Sequence, residues 1–162
     1  MNRSRLALAL VALPFGLLAA AQLVPYGHAH SNPPVVREPA WNTPETRALA
    51  ERACFDCHSN QTKWPWYASI APVSWLVQDH VDEGRAILNF SEWDKPYEEA
   101  SEAAETLQEG EMPVAGYTWL HPEADLSPAE KATLIAGLTA TLGGAAGAKG
   151  AEGPGDDEGD ER

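Results

Sequence analysis

Five consecutive residues of this chain have the types and spacing of a covalent cofactor site: Cys54, Phe55, Asp56, Cys57 and His58. This C-x-x-C-H pattern is typical of the attachment point of a c-type haem. Two thiols three positions apart on one helical turn can each add to a vinyl group of the same porphyrin. The histidine that follows lies beneath the ring, where its imidazole can bind the iron. The pattern predicts one haem c, with thioether bonds to Cys54 and Cys57 and with His58 as the proximal iron ligand.

Three other chemistries use paired cysteines, and the surrounding sequence does not favour them. A thioredoxin-like redox pair belongs to a βαβ unit, which is not visible around positions 54–57. A structural zinc site needs four ligands, whereas the chain has only these two cysteines and its other histidines are scattered. A disulfide across two intervening residues would have poor geometry. Zinc binding and thiol chemistry are therefore the minor alternatives.

The sixth iron ligand has three candidates. Met112 is the only methionine apart from the initiator, and Pro113 after it restricts the backbone that would hold its sulfur. We expect Met112 as the distal ligand, with a gap-filling core methionine as the alternative. His80 falls on or beside the apolar face of a predicted helix, which fits a hydrogen-bonded core residue or an alternative distal ligand. His121 is a weaker candidate.

The acidic composition narrows the range of partners. The formal net charge is −13, from 24 acidic and 11 basic residues, which argues against nucleic-acid binding. A redox partner protein would more plausibly present a basic patch. Residues 98–111 hold six acids and no base, and they form either a solvated face or an acidic docking surface.

Aromatic residues are frequent after position 60, where five of the six tryptophans lie. Large rings in a small domain can line a flat apolar cofactor, or they can be ordinary core residues. The cluster of Trp64, Trp66 and Tyr67 around Pro65 is either a wall against the haem edge or a separate aromatic cluster.

The N-terminal segment, residues 1–25, has the pattern of an export signal. Arg3 and Arg5 precede an uncharged apolar run, and no further charge follows until Arg37. A cleaved signal peptide and a retained membrane anchor both fit, and we expect the anchor, because the run approaches twenty residues. Basic residues before the run favour a single-pass protein of the cell membrane with the rest of the chain on the periplasmic side.

The segment that follows, residues 26–42, is rich in proline and has no periodicity. It predicts an extended tether between the membrane and the domain. His28 and His30 within it could bind a metal weakly, but solvent exposure is the expectation.

The domain itself, residues 43–142, carries helical periodicity together with recognisable helix ends. Gly84 would let a bulky group approach the backbone of one of these helices. The tail, residues 143–162, is rich in glycine and acids and is expected to be disordered. The predicted helices run from Pro44 into the haem motif after Thr43 as N-cap, over 72–88, over 97–109 before Gly110, and over 128–142 after a capping box formed by Ser127 and Glu130.

Residues 26–142 resemble the haem-binding-domain family of small bacterial membrane-anchored proteins, which are related to class I cytochromes c. The resemblance implies an all-α, cytochrome c-like domain around one covalent haem, with His58 proximal and Met112 distal. The stretch around His80 is not part of the cytochrome c pattern. The matching stretches are ACFDCHSN (53–60), WPWY (64–67), APVSWLV (71–77), HVDEGR (80–85), LNFSEW (88–93), GEMP (110–113) and LHPEADLS (120–127).

These features predict a membrane-tethered monohaem electron carrier that is not an enzyme. The alternative is a haem-based sensor or ligand-binding module with His80 at or near the distal side. A peroxidase is disfavoured, because the sequence shows no evident distal acid–base pair.

Overall fold

The structure, a computed structural model, describes residues 3–143, with side chains from residue 10 onward. In this range it contains helices and an isolated parallel bridge between Arg37 and Glu92, which confirms the expected all-α class. The α-helices are α1 (Arg3–Ala21), α2 (Pro44–Ala53), α3 (Phe55–His58), α4 (Val73–Ile87), α5 (Ala103–Glu109), α6 (Tyr117–Leu120) and α7 (Pro128–Leu142), and 3₁₀ turns cover Trp66–Ser69, Glu98–Glu102 and Pro122–Ala124.

Local capping chemistry sets the ends of the main helices where the sequence predicts them. The Thr43 hydroxyl accepts a hydrogen bond from the Thr46 amide at the start of α2. At the start of α7, Ser127 and Glu130 form the expected reciprocal capping box. Gly110 ends α5 in the left-handed conformation, with φ of 81°.

Two of the predicted helices are interrupted. The helix expected to run into the haem motif ends at Ala53, because Cys54 adopts φ −126° and ψ −34°, and α3 then starts as a separate turn. The helix expected over 97–109 begins as the 3₁₀ turn Glu98–Glu102 before α5, as is common at helix N-termini. That turn buries Ala100 in the core.

The core lies where α2, α5 and α7 pack together. Leu134, Leu138 and Leu142 repeat every four residues along α7, and their side chains are buried in this core. The rings of Phe55 and Phe90 stack with centroids 5.6 Å apart. This core therefore begins directly at the cysteine motif, since Phe55 lies between the two cysteines.

The proline-rich segment lies against the domain and does not hang free of it. The Asn32 side chain donates to the Thr62 carbonyl at 2.9 Å. The amides of Val36 and Arg37 donate to the Ser91 carbonyl. The segment lacks helix and strand, as expected, but these bonds make it part of the domain surface.

The expected transmembrane helix is not found. None of the helices that the structure describes is long and apolar enough to cross a membrane. The prediction of a disordered tail falls on residues that lie outside the described range, apart from Gly143.

Candidate functional site

One cavity brings together the residues that the sequence singles out. Cys54, Cys57, His58, Met112 and His80 all line it. It lies between α3 and α4 on one side and the stretch from α5 to α6 on the other. Most of its other lining residues are apolar: Ala53, Gly84, Ile87, Leu88, Phe90, Ala103, Leu107, Pro113, Val114 and Leu138.

Both cysteine sulfurs are free thiols beside the cavity. Burial raises the pKa of the Cys54 thiol to about 12. Burial and the nearby Asp56 carboxylate raise the pKa of the Cys57 thiol to about 11. Because the thiolate is the nucleophile in disulfide exchange, this environment disfavours that exchange at neutral pH.

The imidazole of His58 is oriented by the segment after α4. Its Nδ1–H donates to the Leu88 carbonyl at 3.1 Å, and its own carbonyl accepts from the Phe90 amide at 2.8 Å. The ring is thereby held as the tautomer in which Nε2 carries no proton, so that its lone pair is available to a metal. Burial also lowers the pKa of His58, so the imidazole is neutral at neutral pH.

Gly84 lets α4 approach the cysteine motif closely. A Cβ atom at this position would lie 2.6 Å from the Cys57 carbonyl oxygen and 3.1 Å from the Cys57 Cβ. The expectation that a bulky group approaches the backbone here is confirmed, and the group is the backbone of the motif itself. Arg85, the next residue, holds the same region by donating to the Ser59 carbonyl at 2.8 Å.

Met112 reaches the same cavity from the loop after α5. The Glu111 and Met112 amides both donate to the Thr106 carbonyl, at 3.0 and 3.4 Å, which fixes the start of the loop. Met112 is 38% exposed, so it lies at the edge of the cavity and is not a gap-filling core methionine. The Met112 thioether therefore belongs to a residue that lines the same cavity as His58.

His80 also lines the cavity, one turn before Gly84 on α4. It is half-buried, and its ring makes no hydrogen bond within the part of the chain that the structure describes. It is therefore not the hydrogen-bonded core residue that its pattern favours, and it stands as the alternative to Met112. His121 does not line the cavity.

Three exposed glutamates lie at the opening of the cavity: Glu83 on α4, with Glu99 and Glu102 on the 3₁₀ turn before α5. Two of them belong to the acidic stretch 98–111. Part of that stretch thus borders the site, and part of it, including Glu105 and Glu109, faces away.

A hydrogen-bonded network next to the cavity was not anticipated from the sequence. The Tyr117 hydroxyl donates to the Asp56 carboxylate at 2.8 Å, and the Tyr117 ring stacks on His121 with centroids 4.1 Å apart. The Tyr67 hydroxyl donates to His121 Nε2 at 2.5 Å, and His121 Nδ1–H donates to Glu123 at 3.2 Å. Burial and the Asp56 charge raise the pKa of Tyr117, so its hydroxyl remains a donor.

The aromatic residues around Pro65 do not form a wall of the cavity, which was one of the two alternatives for them. Neither Trp64, Trp66 nor Tyr67 lines the cavity. Trp64 stacks on His30, which differs from the expectation that this histidine is solvent-exposed, and Trp66 is 78% exposed. The other alternative, a separate aromatic cluster, is the correct one. Trp41 and Trp93 pack on Phe90 in the core.

These residues fit a flat apolar cofactor with a metal at its centre. The cavity wall is apolar, the two thiols lie on one turn, and an imidazole with a free Nε2 and a thioether reach the same space. A c-type haem requires two thiols that can form thioether bonds and side chains that can bind its iron, and residues of these types are brought together here.

The comparison with protein families agrees with this reading of the site. A family model described as a haem-binding domain matches residues 16–140. Neither a curated protein nor a solved structure matches the chain.

Proposed function

The chain belongs to the haem-binding domain family, and from this premise we propose that it is a monohaem c-type cytochrome-like protein that transfers single electrons outside the cytoplasm. Cys54 and Cys57 hold the haem through thioether bonds. His58 is the proximal iron ligand, and Met112 is the distal ligand. No catalytic residue is assigned, because electron exchange needs none.

The observation that carries this proposal is the convergence of Cys54, Cys57, His58 and Met112 on one apolar cavity. Met112 lies more than fifty residues after His58 in the sequence, so the fold brings the two side chains to the same cavity.

The chain's own residues provide the conditions for one-electron exchange. A bound haem supplies the one-electron redox centre, and a thioether ligand raises its potential. The apolar lining keeps water from the centre, and Leu88 holds the proximal imidazole in its ligating tautomer. The exposed side of the cavity, near Glu83 and Glu102, leaves an edge for contact with a redox partner, which we propose presents a basic patch.

We assign residues 1–21 the role of an export signal, which supports a location outside the cytoplasm. Two arginines precede the apolar run, in the arrangement of a secretory signal. Directly after α1 ends at Ala21, the Gln22 side chain donates to the Ala71 carbonyl and accepts from the Ala71 amide of the domain.

The proposal is tested by producing the chain in a bacterium with a c-type haem maturation system. We expect the denatured protein to retain its red colour and to gain the mass of one haem. The Cys54→Ser/Cys57→Ser variant should lose both, whereas His80→Ala should keep both. A wild-type protein that releases all its colour on acid–acetone extraction contradicts the proposal.

A second candidate function, a haem-based sensor, is favoured by the position of His80 on the same cavity. In that case an external ligand replaces a weakly held sixth ligand. Rapid binding of carbon monoxide to the reduced wild-type protein at neutral pH supports the sensor, and its exclusion supports the electron carrier.

A further inference from the structure

The loop that carries Met112 is short and is anchored at both ends. Its first end is fixed to α5, where the Thr106 carbonyl accepts from the Met112 amide. Its other end is Tyr117, the first residue of α6, whose amide donates to the Val114 carbonyl at 3.1 Å. The position of the Met112 side chain therefore depends on what holds Tyr117.

Tyr117 is held to the cysteine motif. Its hydroxyl donates to Asp56 Oδ2 at 2.8 Å, and Asp56 lies two residues before His58. Its ring lies nearly parallel to that of His121, at 6°. Because His121 is bonded on both ring nitrogens, to Tyr67 and Glu123, the stacked pair has little freedom.

Asp56 is itself fixed. Its Oδ1 accepts from the Lys63 amide at 2.9 Å, and its carbonyl accepts from the Thr62 hydroxyl at 2.8 Å. The carboxylate thus offers Oδ2 to Tyr117 from a rigid turn. One side-chain hydrogen bond connects the segment of the proximal ligand to the segment of the distal ligand.

We propose that Tyr117 and Asp56 are positioning residues: their hydrogen bond holds the Met112 loop against the cysteine motif and so keeps the thioether at the distal side of the haem. This inference rests on the proposed function, because it needs Met112 as the iron ligand. It adds a role for Asp56, one of the two residues between the cysteines. Without the bond the loop moves away more easily, and an external ligand takes its place.

The experiment measures the displacement of Met112 by imidazole in the oxidised holoprotein. The displacement is monitored through the loss of the long-wavelength absorption band of ferric iron with a thioether ligand. Tyr117→Phe keeps the stacked ring and removes the donor. A hydrogen bond to a charged group contributes enough that imidazole should bind about tenfold more tightly to this variant. Asp56→Asn should shift binding in the same direction, and the double variant should add little to either single change.

The matched control is Tyr97→Phe. Tyr97 stacks on Trp93 in the core, and its hydroxyl makes no hydrogen bond within residues 3–143. Imidazole affinity should be unchanged in this variant. A free energy of unfolding measured for each variant separates a positioning role from general destabilisation.

Two results overturn the inference: a folded Tyr117→Phe with wild-type imidazole affinity, or an equal increase in Tyr97→Phe. If Tyr117→Phe does not fold, Asp56→Asn decides in the same assay. A wild-type holoprotein without the thioether band contradicts the distal assignment itself. If the wild-type protein has the thioether band but Tyr117→Phe and Asp56→Asn bind imidazole with wild-type affinity, only the positioning role is contradicted.

Discussion

At the scale of single residues, the side chains of the site differ in how strongly hydrogen bonds and burial restrict them. The ring and the backbone of His58 are both fixed by bonds to residues 88–90. Met112 is partly exposed on a loop, and His80 is on a helix that faces the same cavity. In the proposed site the proximal ligand is therefore preorganised, whereas the proposed distal ligand lies on a partly exposed loop.

The distal ligand can be identified by substitution. We expect Met112→Ala to lose the thioether signature in the optical and paramagnetic-resonance spectra while keeping covalent haem, because the thiols and His58 are untouched. His80→Ala is the control and should keep the wild-type spectrum. A Met112→Ala spectrum that matches wild type, together with a changed His80→Ala spectrum, would assign the sixth position to His80.

At the scale of elements, the close approach of α4 to the cysteine motif depends on one missing side chain. In Gly84→Ala the new methyl group overlaps the Cys57 carbonyl, so α4 must move away from the motif. We expect a loss of about 1–3 kcal/mol in the free energy of unfolding. We also expect a lower fraction of chains with covalent haem, measured by mass spectrometry.

Gly137→Ala on α7 is the control for that experiment. A Cβ there would lie 2.2 Å from the Thr46 hydroxyl oxygen of α2, away from the cavity. It should be destabilising to a similar degree but leave the haem fraction and spectrum unchanged. Equal loss of haem in both variants would show that Gly84 matters only for stability.

The contacts at the start of α7 make the stability of the domain depend on pH in the acid range. The Arg52 guanidinium and the Ser127 hydroxyl and amide hold the pKa of Glu130 down to about 2, from an ordinary value of 4.5. Because the folded-state pKa is the lower one, this carboxylate stabilises the fold above about pH 4.5, and the contribution is lost as the pH falls towards 2.

We therefore expect the difference in unfolding free energy between wild type and Glu130→Gln to shrink on going from about pH 5 to about pH 3, measured by urea unfolding. Glu105→Gln on the exposed face of α5 is the control and should follow the wild-type pH profile. A constant difference between wild type and Glu130→Gln across this range would contradict the role of the Glu130 charge.

Helix ends and the cysteine motif could be predicted from the sequence because their chemistry is local. Thr43, Ser127 and Gly110 act within four residues of their own position. The bond between Tyr117 and Asp56 could not be predicted, because the two residues are 61 positions apart and no sequence pattern connects them. The short helix α6 has too few residues to show periodicity.

At the scale of the whole molecule, the sequence predicted the chemical groups of the site but not the residues that line the cavity around them. Tryptophan content suggested an aromatic lining, yet none of the tryptophans lines the cavity, and most of its apolar lining residues are aliphatic. Large rings can fill a core as well as a cofactor site, and composition does not distinguish the two. The N-terminal apolar run likewise suggested an anchor, whereas none of the helices that the structure describes is long and apolar enough to cross a membrane.

The charge of the whole molecule sets which redox reagents approach the haem edge. The net charge is −13, and Glu83, Glu99 and Glu102 surround the opening of the cavity. A cationic one-electron reagent such as hexaammineruthenium should therefore react faster than anionic ferricyanide at equal driving force. Its rate should fall as salt is added, since the Debye length shortens to about 10 Å at 0.1 M.

Neutralising these three glutamates to glutamine should slow the cationic reagent and weaken its salt dependence, as measured by stopped-flow absorbance. The control changes three exposed acids that do not line the cavity, Asp94→Asn, Glu105→Gln and Glu109→Gln, and so has the same net charge. Because nearby charges act on the approach more strongly than distant screened ones, the control should stay close to wild type. Equal slowing in both variants would mean that net charge alone, and not the acidic edge of the cavity, guides the approach.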